Sequence, residues 1–591
     1  AVLYNKMNNA NYRTVSQNDI ATRGRDLEFG NQAPVHQPAV AGTAQNDGSF
    51  APNAGIFSGA SNSYQGFNNN PFENYQISMV NHWQISPKAS LDINPYYIYG
   101  YGFGGPQLSL LSESNAGTAL HGGISDINGD GDTRDTVAVY GSNTSKTKRS
   151  GVTVKGNLQW DIHNLSAGMW QDVGTSRQFG PFVPIDSAGN AADYWLENSG
   201  KHIKYQDGSP VSSRNWFTDV TARTFFVQDS FNVLNDRLNV STALKRQSVK
   251  RRFQNLASGT GGANAGGADY TVDQTFANTL ANVGLRYQLT DKNMAFFNAG
   301  QNVRAPENNA NTGLVRLVGP NYSTSVVNGV MIARDSAGNV IPTQVFQTGI
   351  KPEKALNLDL GFRHAGELLT LSGSVFYINY KDRLANQFDP VSGQTVQFNV
   401  GDSRTTGFEL EGGYKFSSSW SAYSSLSYTS AKMLQDKVVV RAASGAAAVL
   451  PTAGKQMPDT PKWLSSASLQ YNNGPFYTTL QGRYVGSRYT SLVNDDQVPG
   501  YTLFDLGMGY RFGKALFTTS STLRLTVSNL FNKQYLSMTA PSGASFTGNV
   551  RPVTTATGTV AGNLSASGIP TAPQFYVGAP RALQISFTSE F

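Results

Sequence analysis

Apolar and polar residues alternate one by one over many segments, and this pattern restricts the fold of the chain more than any other feature. The C-terminal segment RALQISFTSEF (581–591) shows it most clearly, since Leu583, Ile585, Phe587 and Phe591 fall on one face. Gln584, Ser586, Thr588 and Glu590 fall on the other face. The same alternation occurs in ALNLDLGFRH (355–364), TGFELEGGYKF (406–416) and TLFDLGMGYRF (502–512). Each segment therefore predicts a β-strand with one apolar and one polar face.

The connections between these strands alternate strictly between short and long. Short polar turns are predicted at 86–89, 161–164, 235–237, 290–293, 364–367, 472–475 and 513–514. Long connections rich in Gly, Asn, Ser and Thr are predicted at 102–149, 174–215, 304–353, 433–460 and 531–577. Loops of this length are uncommon in a compact soluble domain, whereas bacterial outer-membrane barrels have short turns at one end and long loops at the other.

We therefore predict an all-β fold, a transmembrane antiparallel β-barrel with short periplasmic turns and long extracellular loops. The strand-like segments amount to about 18 strands, within the range of outer-membrane barrels. Segment 17–72 leaves room for a further hairpin. A barrel of this kind resides in the bacterial outer membrane and contacts its lipid and lipopolysaccharide.

Composition agrees with a barrel and argues against several other classes. The chain has 60 Gly, 27 Tyr and 32 Phe but no Cys, and only 14% of its residues are charged. No apolar run is long enough for a transmembrane helix. The net charge of +7 is an ordinary surface bias and does not indicate a nucleic-acid partner. No G-x-S-x-G, Walker or HExxH motif occurs, so we expect no enzymatic activity.

Seven segments, in order, resemble the barrel of TonB-dependent outer-membrane transporters. They are FFVQDSFNVLNDRLNVSTALKRQ (225–247), NAGQNVRAPENN (298–309), KPEKALNLDLGFRH (351–364), FNVGDSRTTGFELEGGYKF (398–416), MPDTPKWLSSASLQY (457–471), VPGYTLFDLGMGYRF (498–512) and LTVSNLFNKQYLS (525–537). The resemblance covers 220–591 well and 1–220 less clearly. It implies a barrel of 22 strands whose lumen is closed by an N-terminal plug domain.

The resemblance also implies a function. It predicts active import of a scarce, bulky ligand, most simply a ferric siderophore, energised by the TonB–ExbB–ExbD complex of the inner membrane. No plug-like stretch precedes the first strand, so we expect residues 1–591 to form the barrel domain and the plug to lie upstream of residue 1. The alternative is a passive diffusion porin of about 18 strands, a size at which a barrel can leave an aqueous channel.

The acidic stretch DINGDGDTRD (126–135) lies in the first long loop. Asp126, Asn128, Asp130 and Gly131 match positions 1, 3, 5 and 6 of a helix-flanked calcium loop, but Val137 occupies the position of its final glutamate. Calcium accepts six to eight oxygen ligands in flexible geometry. Asp132 or Asp135 could complete a looser cage, and the alternative is a solvated acidic turn.

A bulky ferric chelate requires aromatic faces and cationic donors from the loops and the upper lumen. The residues that we expect to contact it are Arg304, Arg316, Tyr322, Trp216 and Arg214. The alternative is that these are generic loop residues. The terminal Phe591, directly after an alternating strand, resembles the outer-membrane assembly signal.

Overall fold

A computed structural model shows a protein built almost entirely of antiparallel β-strands. It describes residues 1–24, 29–30, 33, 40–45, 47, 64–105, 107–114, 124, 126–186, 188–256, 270–308, 322–327, 330–335, 350–389, 394–440, 447–494, 496–513, 519–539, 552–555, 558–561 and 575–590. The strands in chain order are β1 Val2–Ala10, β2 Asn69–Ser78, β3 Asn81–Ser86, β4 Ala89–Gly102, β5 Leu108–Ser112, β6 Thr136–Gly141, β7 Thr144–Trp160, β8 His163–Pro184, β9 Ser212–Val233, β10 Leu238–Asn255, β11 Tyr270–Thr290, β12 Asn293–Arg304, β13 Tyr322–Val327, β14 Val330–Asp335, β15 Glu353–Ala365, β16 Leu369–Lys381, β17 Leu384–Asp389, β18 Gln394–Asn399, β19 Ser403–Lys415, β20 Trp420–Met433, β21 Lys437–Val440, β22 Ala447–Leu450, β23 Trp463–Asn472, β24 Phe476–Val485, β25 Arg488–Tyr489, β26 Gln497–Val498, β27 Tyr501–Phe512, β28 Ser520–Ser528, β29 Leu536–Thr539, β30 Pro552–Thr555, β31 Gly558–Ala561, β32 Phe575–Val577 and β33 Ala582–Glu590. The helix α1 spans Gln17–Arg23, and single 3-10 turns span Gln65–Phe67 and Ser199–Lys201.

The wall is one antiparallel sheet in which each strand pairs with the next along the chain. Its order is β1, β2 with β3, β4, β7, β8, β9, β10, β11, β12, β15, β16, β19, β20, β23, β24, β27, β28, β33. Because β2 and β3 lie end to end along one edge of β4, the described part of the wall has 18 strand positions. This agrees with the predicted count.

The two ends of the wall approach each other at the long-loop end. Val15, which follows β1, exchanges backbone hydrogen bonds of 2.9 and 2.8 Å with Phe575 of β32, shortly before β33. Tyr12 also packs edge-on against Tyr576, with 6.4 Å between ring centroids. The sheet therefore curves around a central lumen.

The side-chain pattern of the wall follows the predicted alternation. In β33, Leu583, Ile585 and Phe587 are about two-thirds exposed, at 65%, 66% and 65%, because they form part of the outward-facing apolar surface. Glu409 and Glu411 lie on the opposite side of the sheet from the exposed Leu410. The polar face therefore lines the lumen, as expected of an outer-membrane barrel.

The predicted short turns are confirmed where the structure describes them. In the β9–β10 turn, Asn235 and Asp236 adopt φ values of 54° and 63°, which Asn and Asp tolerate better than most residues. The structure adds a turn at 416–419 that was not predicted. Among the described residues, no helix has the length and apolar character needed to cross a membrane.

Two of the predicted long loops, 102–149 and 174–215, are shorter than predicted. β7 already begins at Thr144. β8 continues to Pro184, and β9 begins at Ser212. β8 has 22 residues, which is about 70 Å at 3.3 Å per residue, whereas about ten residues span a bilayer. The upper halves of these strands project beyond the membrane, where no lipid imposes an apolar face.

The connections on β4, β8 and β9 form a small folded unit outside the membrane. The hairpin β5–β6 extends from the wall by pairing with the end of β8. Its core has two clusters of buried side chains: Leu111, Ile124, Val137, Val139, Phe182, Ile203, Tyr205 and Val211 in one, and Phe67, Phe103, Tyr140, Val183, Ile185, Ala191 and Leu196 in the other. We call this unit the loop cap. Segment 17–72, where the sequence left room for a hairpin, begins with α1. Most of residues 25–63 lie outside the described residues, so the hairpin stays a prediction.

Candidate functional site

Arg214 and Trp216 lie near the start of β9, at the long-loop end of the wall. Phe225 and Val227 on the same strand are exposed on the outer face, so the even-numbered Arg214 and Trp216 face the lumen. The guanidinium of Arg214 stacks over the Trp216 ring at 3.8 Å from its centroid. Its Nη1 also donates to Oε1 of Gln178 at 3.3 Å.

The neighbouring strand β10 extends this arrangement. Phe253 packs edge-on against Trp216, with ring centroids 5.8 Å apart, and both rings are buried. Two residues before Phe253, Arg251 donates from Nη1 to the carbonyl oxygen of Pro306. Its Nε is buried without a hydrogen-bond partner.

The segment after β12 reaches the same region. Arg304 forms an ion pair with Glu307, whose backbone N–H donates to Gln397 Oε1 at 2.6 Å. Asn308 Nδ2 donates to Thr218 Oγ1 of β9 at 3.1 Å. These contacts join three wall strands and β18 into one group, which we call the arginine–aromatic cluster: Arg214, Trp216, Arg251, Phe253, Arg304 and Glu307.

Burial shapes the electrostatics of this cluster. Burial lowers the pKa of Arg214 to about 10. Burial also lowers the pKa of Arg251, although the charge of Glu307 opposes the shift. Arg214 therefore remains protonated at neutral pH while partly removed from water, and a cation in that state interacts strongly with an incoming anion.

Three of the five predicted contact residues, Arg214, Trp216 and Arg304, belong to this cluster. Arg316 lies outside the described residues, and Tyr322 is described only as the first backbone position of β13. Their roles stay predictions. Arg251 and Phe253 were not singled out from the sequence, although their i, i+2 spacing on a strand gives them a common face.

The acidic loop forms a series of tight local turns. Asp126 accepts hydrogen bonds from the backbone N–H groups of Gly129 and Gly131, at 2.6 and 2.8 Å. Asn128 Oδ1 accepts from the N–H of Asp130 at 3.2 Å. Gly129 and Gly131 have φ values of 78° and 95°, a region that favours glycine. The Gly-rich sequence therefore bends the chain back on itself.

Three carboxylates converge at the base of this loop. Oxygens of Glu113, Asp132 and Asp135 lie within 4.8 Å of one another. Glu113 and Asp135 are only 1% and 0% exposed, and Oδ2 of Asp130 is buried without a hydrogen-bond partner. Among the described residues, no cationic side chain forms an ion pair with any of these three carboxylates or with Asp130.

Glu113 was missed by the sequence analysis because it precedes the acidic stretch. The β5–β6 hairpin brings it to Asp135, whose backbone N–H donates to Glu113 Oε2 at 3.3 Å. Burial raises the pKa of Glu113, and the negative charges of Asp135 and Asp126 raise it further. Of the five predicted calcium ligands, Asp132 and Asp135 belong to the carboxylate trio with Glu113, whereas Asp126, Asn128 and Asp130 do not.

The acidic loop also ties the N-terminal segment to the loop cap. The backbone N–H of Gln45 donates to Asp135 Oδ1 at 2.7 Å, and that of Gly42 donates to Asp132 Oδ2 at 2.6 Å. Phe591, the predicted assembly signal, lies outside the described residues, and that role stays a prediction.

An antiparallel wall of this size, with a polar lumen and a folded cap on long loops, defines a bacterial outer-membrane barrel of the receptor type. The chain belongs to the family described as TonB dependent receptor-like, beta-barrel, whose profile matches residues 7–530. The predicted family, fold class and outer-membrane location are thereby confirmed. Members of this family are receptors and transporters.

Individual relatives are distant. The pesticin receptor of Yersinia pestis is 25% identical over 219 residues, which cover 36% of this chain and 29% of that receptor. The crystal structure of the ferric yersiniabactin uptake receptor FyuA from Yersinia pestis superposes with a TM-score of 0.53 at 14% identity, covering 88% of this chain and 62% of that one. The crystal structure of the unliganded ferric citrate transporter FecA superposes with a TM-score of 0.57 at 15% identity, covering 90% of this chain and 63% of that one. The matches therefore span less than two thirds of each relative, and the two superpositions show the fold.

Proposed function

We propose that this protein imports a ferric siderophore, or a similar bulky ferric chelate, across the outer membrane with energy from the TonB–ExbB–ExbD complex. The observation that carries the proposal is the arginine–aromatic cluster on the lumen face, directly below the long loops. Its aromatic rings offer flat apolar surface, and its guanidinium groups offer paired donors for carboxylate or catecholate oxygens.

The cluster suits an anionic chelate better than a neutral solute. Arg214 is held by an aromatic face and a neutral amide, so its charge is not cancelled by a carboxylate in these contacts. Arg251 donates to a backbone carbonyl and also experiences the charge of Glu307. The names of FyuA and FecA describe uptake of ferric chelates by those proteins, and this agrees with the proposed class of cargo.

A passive porin, the alternative class, is less well supported. The family match is to receptors, and the loop cap gives the long-loop end a folded structure of its own.

We retain the proposal that a plug domain closes the lumen of residues 1–591 and couples the barrel to the energy complex. The intact mass of the polypeptide extracted from its native membrane tests this, because a plug requires a mass well above that of these 591 residues.

Binding of a panel of ferric chelates to the purified protein tests the cargo assignment. Quenching of tryptophan fluorescence by ferric citrate, a ferric catecholate and a ferric hydroxamate would be compared with the iron-free ligands. We expect one ferric chelate to saturate the signal, and the double variant R214Q/R251Q to bind it at least about tenfold more weakly, the loss of one strong charge-assisted contact. The matched control is K148Q, an exposed cation on the outer face. No saturable binding of any chelate, or equal binding by both variants, would contradict the proposal.

We also propose that the carboxylate trio Glu113, Asp132 and Asp135 binds Ca²⁺ and fixes the loop cap. The support is the burial of two carboxylates without a cationic partner, together with the unpartnered Oδ2 of Asp130. A buried anion is costly unless it is paired or coordinates a metal. Hard oxygen ligands suit Ca²⁺, with Asp126 and Asn128 ordering the adjacent turn.

A further inference from the structure

Glu307 supplies a carboxylate to the arginine–aromatic cluster, where it forms an ion pair with Arg304. The side chains of Arg304 and Glu307 are 50% and 45% exposed, so this pair lies at the edge of the lumen and not in the protein interior. An ion pair exposed to this degree is weak, because water competes for both partners. An anion that enters from the lumen can therefore replace the carboxylate with a small loss of free energy.

The charge of Glu307 also acts on Arg251 of β10. Burial lowers the pKa of Arg251, and the negative charge of Glu307 opposes that shift. Nη1 of Arg251 donates to the carbonyl oxygen of Pro306, whereas its Nε is buried without a hydrogen-bond partner. An anionic oxygen that reached this Nε would satisfy it. One carboxylate thus opposes the charge of two of the three cations in the cluster.

The other charged groups near the cluster leave Glu307 as its counter-ion. In the part of the chain that the structure describes, no carboxylate forms an ion pair with Arg214. Glu353 stands opposite Arg304 across β12 and β15, but its Oε2 accepts a hydrogen bond from the N–H of Leu384 at 2.9 Å. Among the described residues, Glu307 is therefore the anion that is paired with the cluster.

The backbone around Glu307 is fixed independently of its carboxylate. The N–H of Glu307 donates to Oε1 of Gln397 at 2.6 Å, and Gln397 is only 1% exposed. Asn308 Nδ2 donates to Thr218 Oγ1 at 3.1 Å, and the ring of Pro306 restricts the backbone on the other side. These contacts involve neutral groups. A rotation of the Glu307 side chain therefore leaves the segment attached to β9 and β18.

We infer that Glu307 is a specificity-determining residue, whose carboxylate occupies the anion position beside Arg304 and Arg251 until a ligand with at least two anionic groups displaces it. The inference rests on the proposed import of an anionic chelate, and it adds how the cluster rejects other solutes. A neutral solute gains no charge-assisted hydrogen bond in exchange for the broken ion pair, and a monoanion replaces one such contact with another. A polyanion contacts two arginines at once, so it gains more than it breaks.

Binding of a small dianion to the purified receptor tests this role without reference to the imported chelate. The probe is benzene-1,3-disulfonate, which has two anionic groups on one aromatic ring, and benzene-1,3-disulfonamide is its uncharged counterpart. Calorimetry would measure the affinity of both compounds for the unmodified protein and for E307Q. We expect E307Q to bind the disulfonate about fivefold more tightly, because a half-exposed ion pair no longer has to be broken. The affinity for the disulfonamide should be the same in both proteins.

Two variants separate the charge of Glu307 from other effects. E307D keeps the carboxylate, so its affinity for the disulfonate should stay within twofold of that of the unmodified protein. E409Q removes a lumen-facing carboxylate on β19, outside the cluster, and should also stay within twofold. A purely structural role of Glu307 would leave disulfonate binding unchanged or weaken it, so the direction of the change in E307Q distinguishes the two roles.

The result can contradict this inference without contradicting the proposed cargo. Unchanged or weaker disulfonate binding by E307Q, an equal gain for the disulfonamide, or no disulfonate binding by either protein would overturn the role of Glu307. If a ferric chelate binds while E307Q gains nothing, the role fails and the proposed cargo stands. If no chelate binds while E307Q still gains affinity for the disulfonate, the proposed cargo fails and the role stands.

Discussion

The carboxylate trio makes a quantitative prediction about the loop cap. If Glu113, Asp132 and Asp135 hold Ca²⁺, the ion stabilises the closed loop against local opening. At a calcium concentration 100 times the dissociation constant, this stabilisation is about 2.7 kcal/mol, or about 100-fold fewer open loops. Glu113→Gln keeps the shape of the side chain but removes one charged ligand. If that loss weakens affinity tenfold, the stabilisation at the same concentration falls to about 1.4 kcal/mol.

Tryptic cleavage after Arg134 reports this opening, since Arg134 lies within the acidic loop next to Asp135. Where opening is fast relative to cleavage, the cleavage rate follows the open population. We expect calcium to slow cleavage about 100-fold in the unmodified protein and about tenfold in E113Q. Cleavage after Lys533, in a different connection, serves as the internal reference, and Asp186→Asn removes a loop carboxylate outside the trio. Equal protection of E113Q and the unmodified protein, or no effect of millimolar calcium, would refute the reasoning.

The same site has a defined pH dependence. Burial and neighbouring carboxylates raise the pKa of Glu113, so without calcium its protonated form is favoured in the folded loop. The calcium-free loop is therefore most stable below the ordinary glutamate pKa and loses that contribution as pH rises through the raised value. Protons compete with calcium for the same oxygens, so calcium affinity measured by calorimetry should fall as pH is lowered through that range. E113Q should flatten this dependence, and a steeper one would contradict it.

Three further predictions concern the cluster and the wall. Burial lowers the pKa of Arg214 to about 10. Affinity for the anionic chelate should therefore be constant at neutral pH and fall as pH rises through about 10. The variant R214Q should lose this fall in affinity, and the control K148Q should retain it. Gly407→Ala places a methyl group against a carbonyl oxygen of the neighbouring strand and should destabilise the barrel by about 1–3 kcal/mol in urea gel-shift titrations. Gly507→Ala has open space and should be nearly neutral, and equal effects of the two would be contrary to the packing shown here. Deleting Phe591 should lower the amount of protein in the outer membrane, measured by fractionation, relative to a conservative Phe591→Tyr control.

The wall could be predicted from the sequence where lipid imposes a pattern. In β19, Phe408 and Leu410 alternate with Glu409 and Glu411 because one face meets lipid and the other meets water. Above the membrane both faces of a strand meet water or protein, so the alternation disappears. The upper half of β8, which includes Thr175 and Arg177, was therefore predicted as loop.

The candidate site was predictable only within single strands. Arg214 and Trp216 share a face by their spacing alone, but Arg251 joins them through the pairing of β9 with β10. Glu113 likewise meets Asp135 through a hairpin whose register the sequence does not reveal. Contacts of this kind depend on strand register, which one sequence specifies weakly outside the lipid-facing band.

Energised import of a ferric chelate is the central claim, and uptake of radioactive iron tests it most directly. The source bacterium, a strain that lacks this gene and the complemented strain would be compared in uptake of the chelate identified by binding, with and without a protonophore. The proposal predicts saturable uptake that is lost in the deletion strain, restored by the gene and abolished by the protonophore. Uptake through this protein that persists with the protonophore and rises linearly with external concentration would contradict the proposal and indicate a passive pore.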